Sequence, residues 1–195
     1  MKRMIIGALL GSLLTVPAFA ALKSGDKAPD FQAKASLAGK EFSFSLADAL
    51  KKGPVVVFFY PAAFTGGCNI EAHTFAENKE KFDAANTTII GVSRDPIARL
   101  NDFSSHPDYC AGKFPVASDV DGKITASYDL ASMQLKAPMK DSRGQEIQHT
   151  EFTERTTFVI TPDYKIIATL SSADDKIAPA DHVDKSLALV QSLKK

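Results

Sequence analysis

The chain of 195 residues has no tryptophan, only two cysteines and no run of basic residues. Cys68 and Cys110 do not form a Cys-x-x-Cys pair, which excludes the adjacent dithiol of many disulfide oxidoreductases. The four histidines have no metal-ligand spacing, so the sequence predicts no metal site; they are His73, His106, His149 and His182. With 23 basic and 23 acidic residues, the balanced charge argues against nucleic acid as a partner.

The N-terminal segment differs in character from the rest of the chain. A basic pair at 2–3 is followed by an apolar run at 4–16 and a small-x-small cleavage site at 18–20. This pattern is typical of a secretory signal peptide at 1–20 and predicts a mature chain that begins at Ala21. The alternative, a transmembrane anchor, is disfavoured because the apolar run is too short to span a bilayer comfortably.

Removal of that segment leaves one predicted domain at 21–195, long enough for a full hydrophobic core. Its net charge is −2, because the removed segment carries two basic and no acidic residues. We expect the mature protein to be periplasmic or secreted, with no membrane segment. Two cysteines in an oxidising compartment leave a structural disulfide open as one interpretation.

The most informative stretch surrounds the first cysteine. Residues 55–60 are all β-branched or aromatic and predict a strand buried on both faces. Pro61 and a Gly-Gly pair then turn the chain into a helix, one face of which carries Cys68, Ala72, Phe75 and Phe82. A thiol in the first helical turn faces unpaired N–H groups, which favour the nucleophilic thiolate. The alternative is a buried structural cysteine.

The remaining pattern predicts an α/β fold with a mixed sheet, because strands and helices alternate before a late hairpin and a last helix at Pro179. A first hairpin is predicted at 32–44. Asp95 is predicted to cap a helix that begins at Pro96 and runs towards Cys110. Residues 131–152 have no clear period and are interpreted as a loop or an irregular insertion.

Three residues of the turn resemble the active-site loop of the peroxiredoxins (AhpC/TSA superfamily). Pro61, Thr65 and Cys68 match that family's Pro, three residues, Thr or Ser, two residues, Cys pattern. Arg155, which opens the late apolar strand, matches a second element of the family. The resemblance covers roughly residues 24–193.

Within that family the Thr-Gly-Gly-Cys stretch, followed by Glu71 and Phe75, is most similar to the bacterioferritin-comigratory or Q-type branch. The resemblance implies a thioredoxin-like fold, with helices flanking the mixed central sheet and with the first hairpin as an N-terminal extension. It also implies a thiol-dependent peroxidase that reduces hydrogen peroxide and organic hydroperoxides. No cofactor, whether metal, haem or flavin, is implied.

The resemblance also implies a role for each catalytic residue. Cys68 would attack the peroxide and become a sulfenic acid, and Thr65 would hydrogen-bond the thiolate and the peroxide. Arg155 would stabilise the thiolate and orient the peroxide, while Pro61 would shield the sulfur from water. Glu71 either orients Arg155 or only complements the helix dipole.

The second cysteine, Cys110, is a candidate for the resolving step. Many Q-type members carry the resolving cysteine five residues after the nucleophile, where this chain has His73. Cys110 is then the resolving candidate, forming a disulfide that an external dithiol of thioredoxin type would reduce. Two alternatives stay open, a single-cysteine peroxidase and a non-enzymatic thioredoxin-like module of the envelope. The branch favours a monomer or a weak dimer.

Overall fold

The computed structural model describes residues 21–194 as a central seven-stranded sheet with helices on both faces. The predicted signal peptide therefore lies outside the described residues. The strands of this sheet are β1 (Gln32–Leu37), β2 (Lys40–Ser45), β3 (Val55–Phe59), β4 (Thr88–Ser93), β5 (Val116–Ser118), β8 (Thr156–Ile160) and β9 (Ile166–Ser171). A separate two-stranded sheet pairs β6 (Ser132–Gln134) with β7 (Glu151–Thr153).

The helices are α1 (Leu46–Leu50), α2 (Gly66–Ala84), α3 (Ile97–Ser105), α4 (Lys123–Ser127), α5 (Ser172–Asp175) and α6 (Pro179–Ser192). The predicted last helix begins at Pro179 as expected, with Asp181 in its first turn. The short helix α5 was not predicted. No helix within residues 21–194 is both long and apolar enough to cross a membrane.

Strand β3 lies inside the main sheet, whose order is β2-β1-β5-β4-β3-β8-β9. It pairs in parallel with β4 and antiparallel with β8, so the predicted mixed sheet is confirmed. The predicted hairpin is confirmed as β1 and β2, which pair from Gln32 opposite Ser45 to Leu37 opposite Lys40. This hairpin extends the sheet at one edge.

Alternate residues of β3 divide the core into two layers. Val56 and Phe58 contribute to the cluster that also contains residues of α2, α3 and α6, while Val57 and Phe59 contribute to the opposite cluster. Gly91 of β4 makes room for the first layer, because a Cβ atom there would lie 2.6 Å from the Phe58 ring. Both layers hold β3 in place, and with it the turn that follows.

Two predictions from the sequence need correction. Helix α3 begins at Ile97 with Pro96 in the N-cap position, so Asp95 is not the cap; its carboxylate is buried and accepts a hydrogen bond from Ala63 instead. The helix also ends at Ser105, before Cys110. The segment 131–152 is not wholly irregular, because its two ends pair as β6 and β7.

Candidate active site

Cys68 lies at the start of α2, directly after the turn that ends β3. The side chains of β3 are all buried, and the chain leaves the sheet at Tyr60 and enters the helix at Gly66. Cys68 is only 2% exposed. Because it is in the first helical turn, the N–H groups around it have no partner within the helix. The predicted strand, turn and helix are therefore confirmed.

Arg155 approaches the sulfur from the neighbouring strand. Strands β3 and β8 are antiparallel, and Phe59 at the end of β3 lies opposite Thr156 at the start of β8. This register brings Arg155 to the same edge as the turn. Its Nη2 donates to Cys68 Sγ at 3.2 Å, and its side chain is 10% exposed. Arg155 is thus not a surface arginine at a strand edge.

Glu71 lies one helical turn after Cys68 and binds the same guanidinium. Arg155 Nη1 donates to Glu71 Oε2, so Glu71 orients Arg155 in addition to lying near the helix start. Burial raises the pKa of Glu71 to about 7, although the nearby Arg155 opposes the rise. Burial also disfavours the charged guanidinium, but Glu71 and Cys68 outweigh it and raise the pKa of Arg155.

Gly67 allows the guanidinium to pack over the start of α2. A Cβ atom at this position would lie 3.1 Å from Arg155 Nη2 and 3.2 Å from Pro179 Cγ. Both distances are tighter than side-chain contacts normally are, so a larger residue would displace Arg155 or α6. The approach of Arg155 and Pro179 therefore requires a glycine at position 67, whereas a Cβ atom at Gly66 would meet no other atom within 4 Å.

Thr65 and Pro61 complete the predicted loop, but the Thr65 hydroxyl does not point as expected. Thr65 is the N-cap residue of α2, and its Oγ1 donates to the carbonyl oxygen of Ala62 at 2.8 Å instead of to Cys68 Sγ. Its contact with a bound peroxide stays a prediction. Pro61 lies in the turn after β3 and is partly exposed, and its shielding role stays a prediction as well.

Phe64 has an unusual backbone conformation within the same loop. Its φ of 62° lies in the left-handed region, which for a bulky residue costs roughly 1–3 kcal/mol. Three hydrogen bonds hold the loop there: Ala63 N to Asp95 Oδ2 at 2.7 Å, Arg99 Nη2 to Ala63 O at 2.8 Å and Ser142 N to Phe64 O at 2.9 Å. Asp95, Arg99 and Ser142 were not predicted to contribute to the site. The opposite charges of Asp95 and Arg99, four residues apart, are the signal in the sequence that could have indicated it.

Cys110 lies in the turn that follows α3 and is fully buried. Burial raises the pKa of its thiol well above the usual range. Both cysteines are free, and both contribute to the core cluster that contains α2. Two consecutive residues after Cys110, Ala111 and Gly112, have positive φ values of 52° and 67°. Cys110 is therefore near the catalytic helix in the core but is not accessible in this conformation.

A comparison with models of protein families identifies the family of this chain. The model of the AhpC/TSA family matches residues 24–169. The chain belongs to the AhpC/TSA family. It is a peroxiredoxin, an oxidoreductase that acts on peroxide, so the non-enzymatic alternative no longer applies.

Solved structures and curated relatives agree with this assignment. Peroxidoxin BcpB from Mycobacterium tuberculosis is 29% identical with a TM-score of 0.71, and the match covers 89% of this chain and 99% of that one. Peroxiredoxin Bcp of Xanthomonas campestris is 30% identical over 71% of this chain and 76% of its own length. The bacterioferritin comigratory protein of X. campestris has a solved structure that is 26% identical, with a TM-score of 0.63 and coverage of 83% and 92%. The thioredoxin-like fold and the similarity to the Q-type branch are confirmed.

In this peroxiredoxin, His73 lies where the resemblance to the Q-type branch would place a resolving cysteine. The His73 Nδ1 atom lies 3.1 Å from the carbonyl oxygen of Asp108, and Nε2 lies 3.4 Å from Glu77 on the same helix. His73 therefore connects α2 to the turn that carries Cys110. Within residues 21–194, no three His, Cys, Asp or Glu side chains come together as metal ligands.

A large cavity of this peroxiredoxin lies away from the Cys68 sulfur. It measures about 820 Å³ and lies between α3 and the segment 131–152, where Arg99, Arg143 and His149 are among its lining residues. Neither Cys68 nor Arg155 lines it. The sulfur of Cys68, the Arg155 guanidinium and the start of α2 converge outside this cavity.

Proposed function

We propose that Cys68 reduces peroxides by direct attack of its thiolate on the O–O bond. A new S–O bond forms as the O–O bond breaks, and the leaving oxygen takes a proton and departs as water or an alcohol. The sulfur is oxidised to a sulfenic acid and the peroxide is reduced. The observation that carries this proposal is the 3.2 Å contact between Arg155 Nη2 and Cys68 Sγ in a buried site.

The surrounding groups have complementary roles in this step. Arg155 stabilises the thiolate and the developing negative charge on the peroxide oxygens, since a fixed donor in a dry site acts more strongly than one in water. The N–H groups of Gly67 and Cys68 add donors at the helix start. Thr65 reaches the peroxide by rotating its hydroxyl away from Ala62, and Pro61 limits access of water.

Cys110 resolves the sulfenic acid in the proposed cycle. Its thiolate attacks the sulfenic sulfur, the S–O bond breaks, and an intramolecular Cys68–Cys110 disulfide forms with release of water. An external dithiol of thioredoxin type then reduces this disulfide by exchange. Both cysteines belong to one core cluster, which supports this pairing once the start of α2 or the turn that carries Cys110 has unwound.

A single-cysteine mechanism is the second candidate, and one observation favours it. Cys110 is 0% exposed, and burial raises the pKa of its thiol, so it is a poor nucleophile until its turn opens. In that mechanism an external thiol reduces the Cys68 sulfenic acid directly. Both mechanisms use the same first step and differ only in the second.

The proposed substrates are hydrogen peroxide and organic hydroperoxides. The structure of the X. campestris bacterioferritin comigratory protein is presented as giving insight into that protein's alkyl peroxide reduction activity. The similarity of this chain to that protein supports organic hydroperoxides as substrates of this chain as well.

The cellular setting follows from the sequence pattern alone. We propose that the chain is exported after cleavage before Ala21, and that residues 21–195 act as one domain in the periplasm or outside the cell. The proposed form is a monomer or a weak dimer. Its reductant would then be a thioredoxin-like dithiol protein of the same compartment.

Peroxide consumption by the purified protein with a dithiol reductant tests the first step. Cys68→Ser should abolish it, because a hydroxyl stays protonated at neutral pH. Cys110→Ser, a matched change at the other buried cysteine, should keep a single reaction with peroxide. Activity of Cys68→Ser within about tenfold of wild type would contradict the proposal, since a lost nucleophile costs far more than about 1.4 kcal/mol.

A further inference from the structure

A buried cluster of charges lies directly behind the active-site loop. This cluster, which we call the Arg99 cluster, consists of Asp95, Arg99 and Asp141. Arg99 Nε lies 3.1 Å from Asp95 Oδ1, and Arg99 Nη2 donates to Asp141 Oδ2 at 2.8 Å. The Arg99 side chain is 6% exposed, and both carboxylates are fully buried. Neither Cys68 nor Arg155 belongs to it.

The cluster binds the main chain of the loop on both sides of one residue. Asp95 Oδ2 accepts from Ala63 N at 2.7 Å, and Arg99 Nη2 donates to Ala63 O at 2.8 Å. The next residue is Phe64, with its positive φ of 62°. Because a bulky residue is strained in that region, the loop keeps this shape only while its neighbours hold it.

The same cluster connects the loop to the segment 131–152. Asp141 accepts from the main-chain N–H groups of Arg143 at 2.8 Å and Gln145 at 3.0 Å, so its carboxylate is fixed by its own turn. The Arg143 guanidinium carbon lies 3.2 Å from the centre of the Phe64 ring. Ser142 N also donates to Phe64 O at 2.9 Å. The segment therefore clamps the residue that carries the strain.

Burying a charged cluster costs desolvation free energy, so it stabilises a core inefficiently. Apolar residues of similar volume often stabilise a fold as well as a buried ion pair does, because the charges must be removed from water. What apolar residues cannot do is bind the N–H and the C=O of Ala63 in fixed directions. The geometry of the Arg99 cluster is therefore better suited to fixing the position of Ala63 than to stabilising the fold.

We propose that Arg99 is a positioning residue for the peroxidase reaction. Through Ala63 it holds the loop in the shape that keeps Cys68 beside Arg155, and the segment 131–152 completes the clamp through Asp141 and Arg143. The inference rests on the proposed function of Cys68. Release of the clamp favours loop conformations in which Cys68 leaves Arg155, so it should slow attack on peroxide without slowing disulfide formation with Cys110.

The test measures the two half-reactions separately in Arg99→Met and in a matched control. Arg94→Met is the control, because Arg94 also binds the segment 131–152, through Glu151 at 3.0 Å, but makes no hydrogen bond to the loop. Since the chain has no tryptophan, rapid quenching followed by mass spectrometry is the natural way to follow the thiol, sulfenic acid and disulfide forms. Urea unfolding gives the stability of each variant.

For Arg99→Met we expect the second-order rate constant with hydrogen peroxide to fall about tenfold or more, which corresponds to about 1.4 kcal/mol. The rate of disulfide formation from the sulfenic acid should stay the same or rise. Arg94→Met should keep both rates within about twofold of wild type. The reason is that Arg94 binds Glu151 and makes no hydrogen bond to the active-site loop. Arg99→Lys, which keeps a charge and one donor group, should recover part of the first rate.

Arg143→Met provides a second variant if Arg99→Met does not fold, because the Arg143 side chain is 25% exposed and its loss is better tolerated. It should show the same divergence of the two rates, to a smaller extent. Equal losses in both half-reactions, or an unchanged peroxide rate, would overturn the inference and leave the Arg99 cluster a structural one. If the wild-type protein itself does not react with peroxide, the proposed function of Cys68 is wrong. Failure of the proposed function is therefore distinguishable from failure of the Arg99 proposal.

Discussion

Cys68 and Cys110 are buried free thiols that contribute to one hydrophobic cluster. Cys68 comes from the first turn of α2 and Cys110 from the turn after α3. In the proposed mechanism peroxide reacts with a free Cys68, so this reduced arrangement would correspond to the resting enzyme. A disulfide requires the two Cα atoms to come within about 7 Å in a suitable orientation.

The first prediction is that this disulfide forms during turnover. One equivalent of peroxide should produce an intramolecular Cys68–Cys110 bond, detected by peptide mapping, after the start of α2 or the turn at 106–113 unwinds. Cys110→Ser should react once and then stall at a sulfenic acid unless a small thiol is added. Normal turnover of that variant with a protein dithiol would show that the single-cysteine mechanism is the correct one.

The second prediction concerns Arg155. Arg155→Met should fold and should lower the second-order rate constant with peroxide by about 10²–10³, the usual effect of removing one donor from a dry site. The cause is the loss of the hydrogen bond from Nη2 to Cys68 Sγ. Rapid-quench kinetics measure the rate, with Arg94→Met as the arginine control. A folded variant with the wild-type rate constant would mean that the contact is not used in catalysis.

The third prediction is a loss of stability at acidic pH through His182. This fully buried side chain lies 3.0 Å from Thr157 Oγ1 and 2.9 Å from Ser172 Oγ, atoms that satisfy both ring nitrogens. Burial, and then the charge of Arg155, lower the pKa of His182 from 6.5 to about 4, while Asp175 and Asp181 oppose this. The unfolded chain therefore binds more protons than the folded one between these pH values.

By linkage, the stability that neutral His182 contributes is present above about pH 6.5 and is lost as the pH falls towards 4. The full loss is on the order of 3 kcal/mol. His182→Gln should flatten the acid side of the curve of unfolding free energy against pH, measured in urea at several pH values. Glu71, whose pKa is raised, acts in the opposite direction but is present in both proteins. Parallel curves for the two proteins would rule out this role.

The fourth prediction is that the exported protein begins at Ala21. The small residues at 18 and 20 precede the bond that a signal peptidase would cut. N-terminal sequencing of protein from the cell envelope measures this directly. An intact Met1 on the envelope material would indicate an anchored or unexported protein instead.

Helix α2 and the position of Cys68 in its first turn were predictable from the sequence because that unit is local. The apolar run of β3, the Gly-Gly turn and the helical face that carries Cys68 all follow from residues close together in the chain. The hairpin of β1 and β2 and the last helix at Pro179 were predicted for the same reason. Their patterns depend on periodicity and capping, which neighbouring residues determine.

The same reasoning was wrong where tertiary contacts compete with local preference. Asp95 before Pro96 has the pattern of a helix cap, yet its carboxylate turns inwards to Ala63 N and Arg99. The Thr65 hydroxyl likewise donates to Ala62 and not to the sulfur. In both cases a nearby main-chain partner satisfies the side chain better than the predicted one does.

The sequence by itself therefore determined the elements, the position of Cys68 at a helix start and, through the family motif, the identity of Arg155. Only the tertiary structure decided that Arg155 reaches the sulfur, because this depends on the antiparallel register of β3 and β8. It also decided that Cys110 is inaccessible at rest and that Arg99 holds the loop. These properties arise from residues far apart in the chain, whose contacts are set by strand pairing and burial, and local patterns do not encode them.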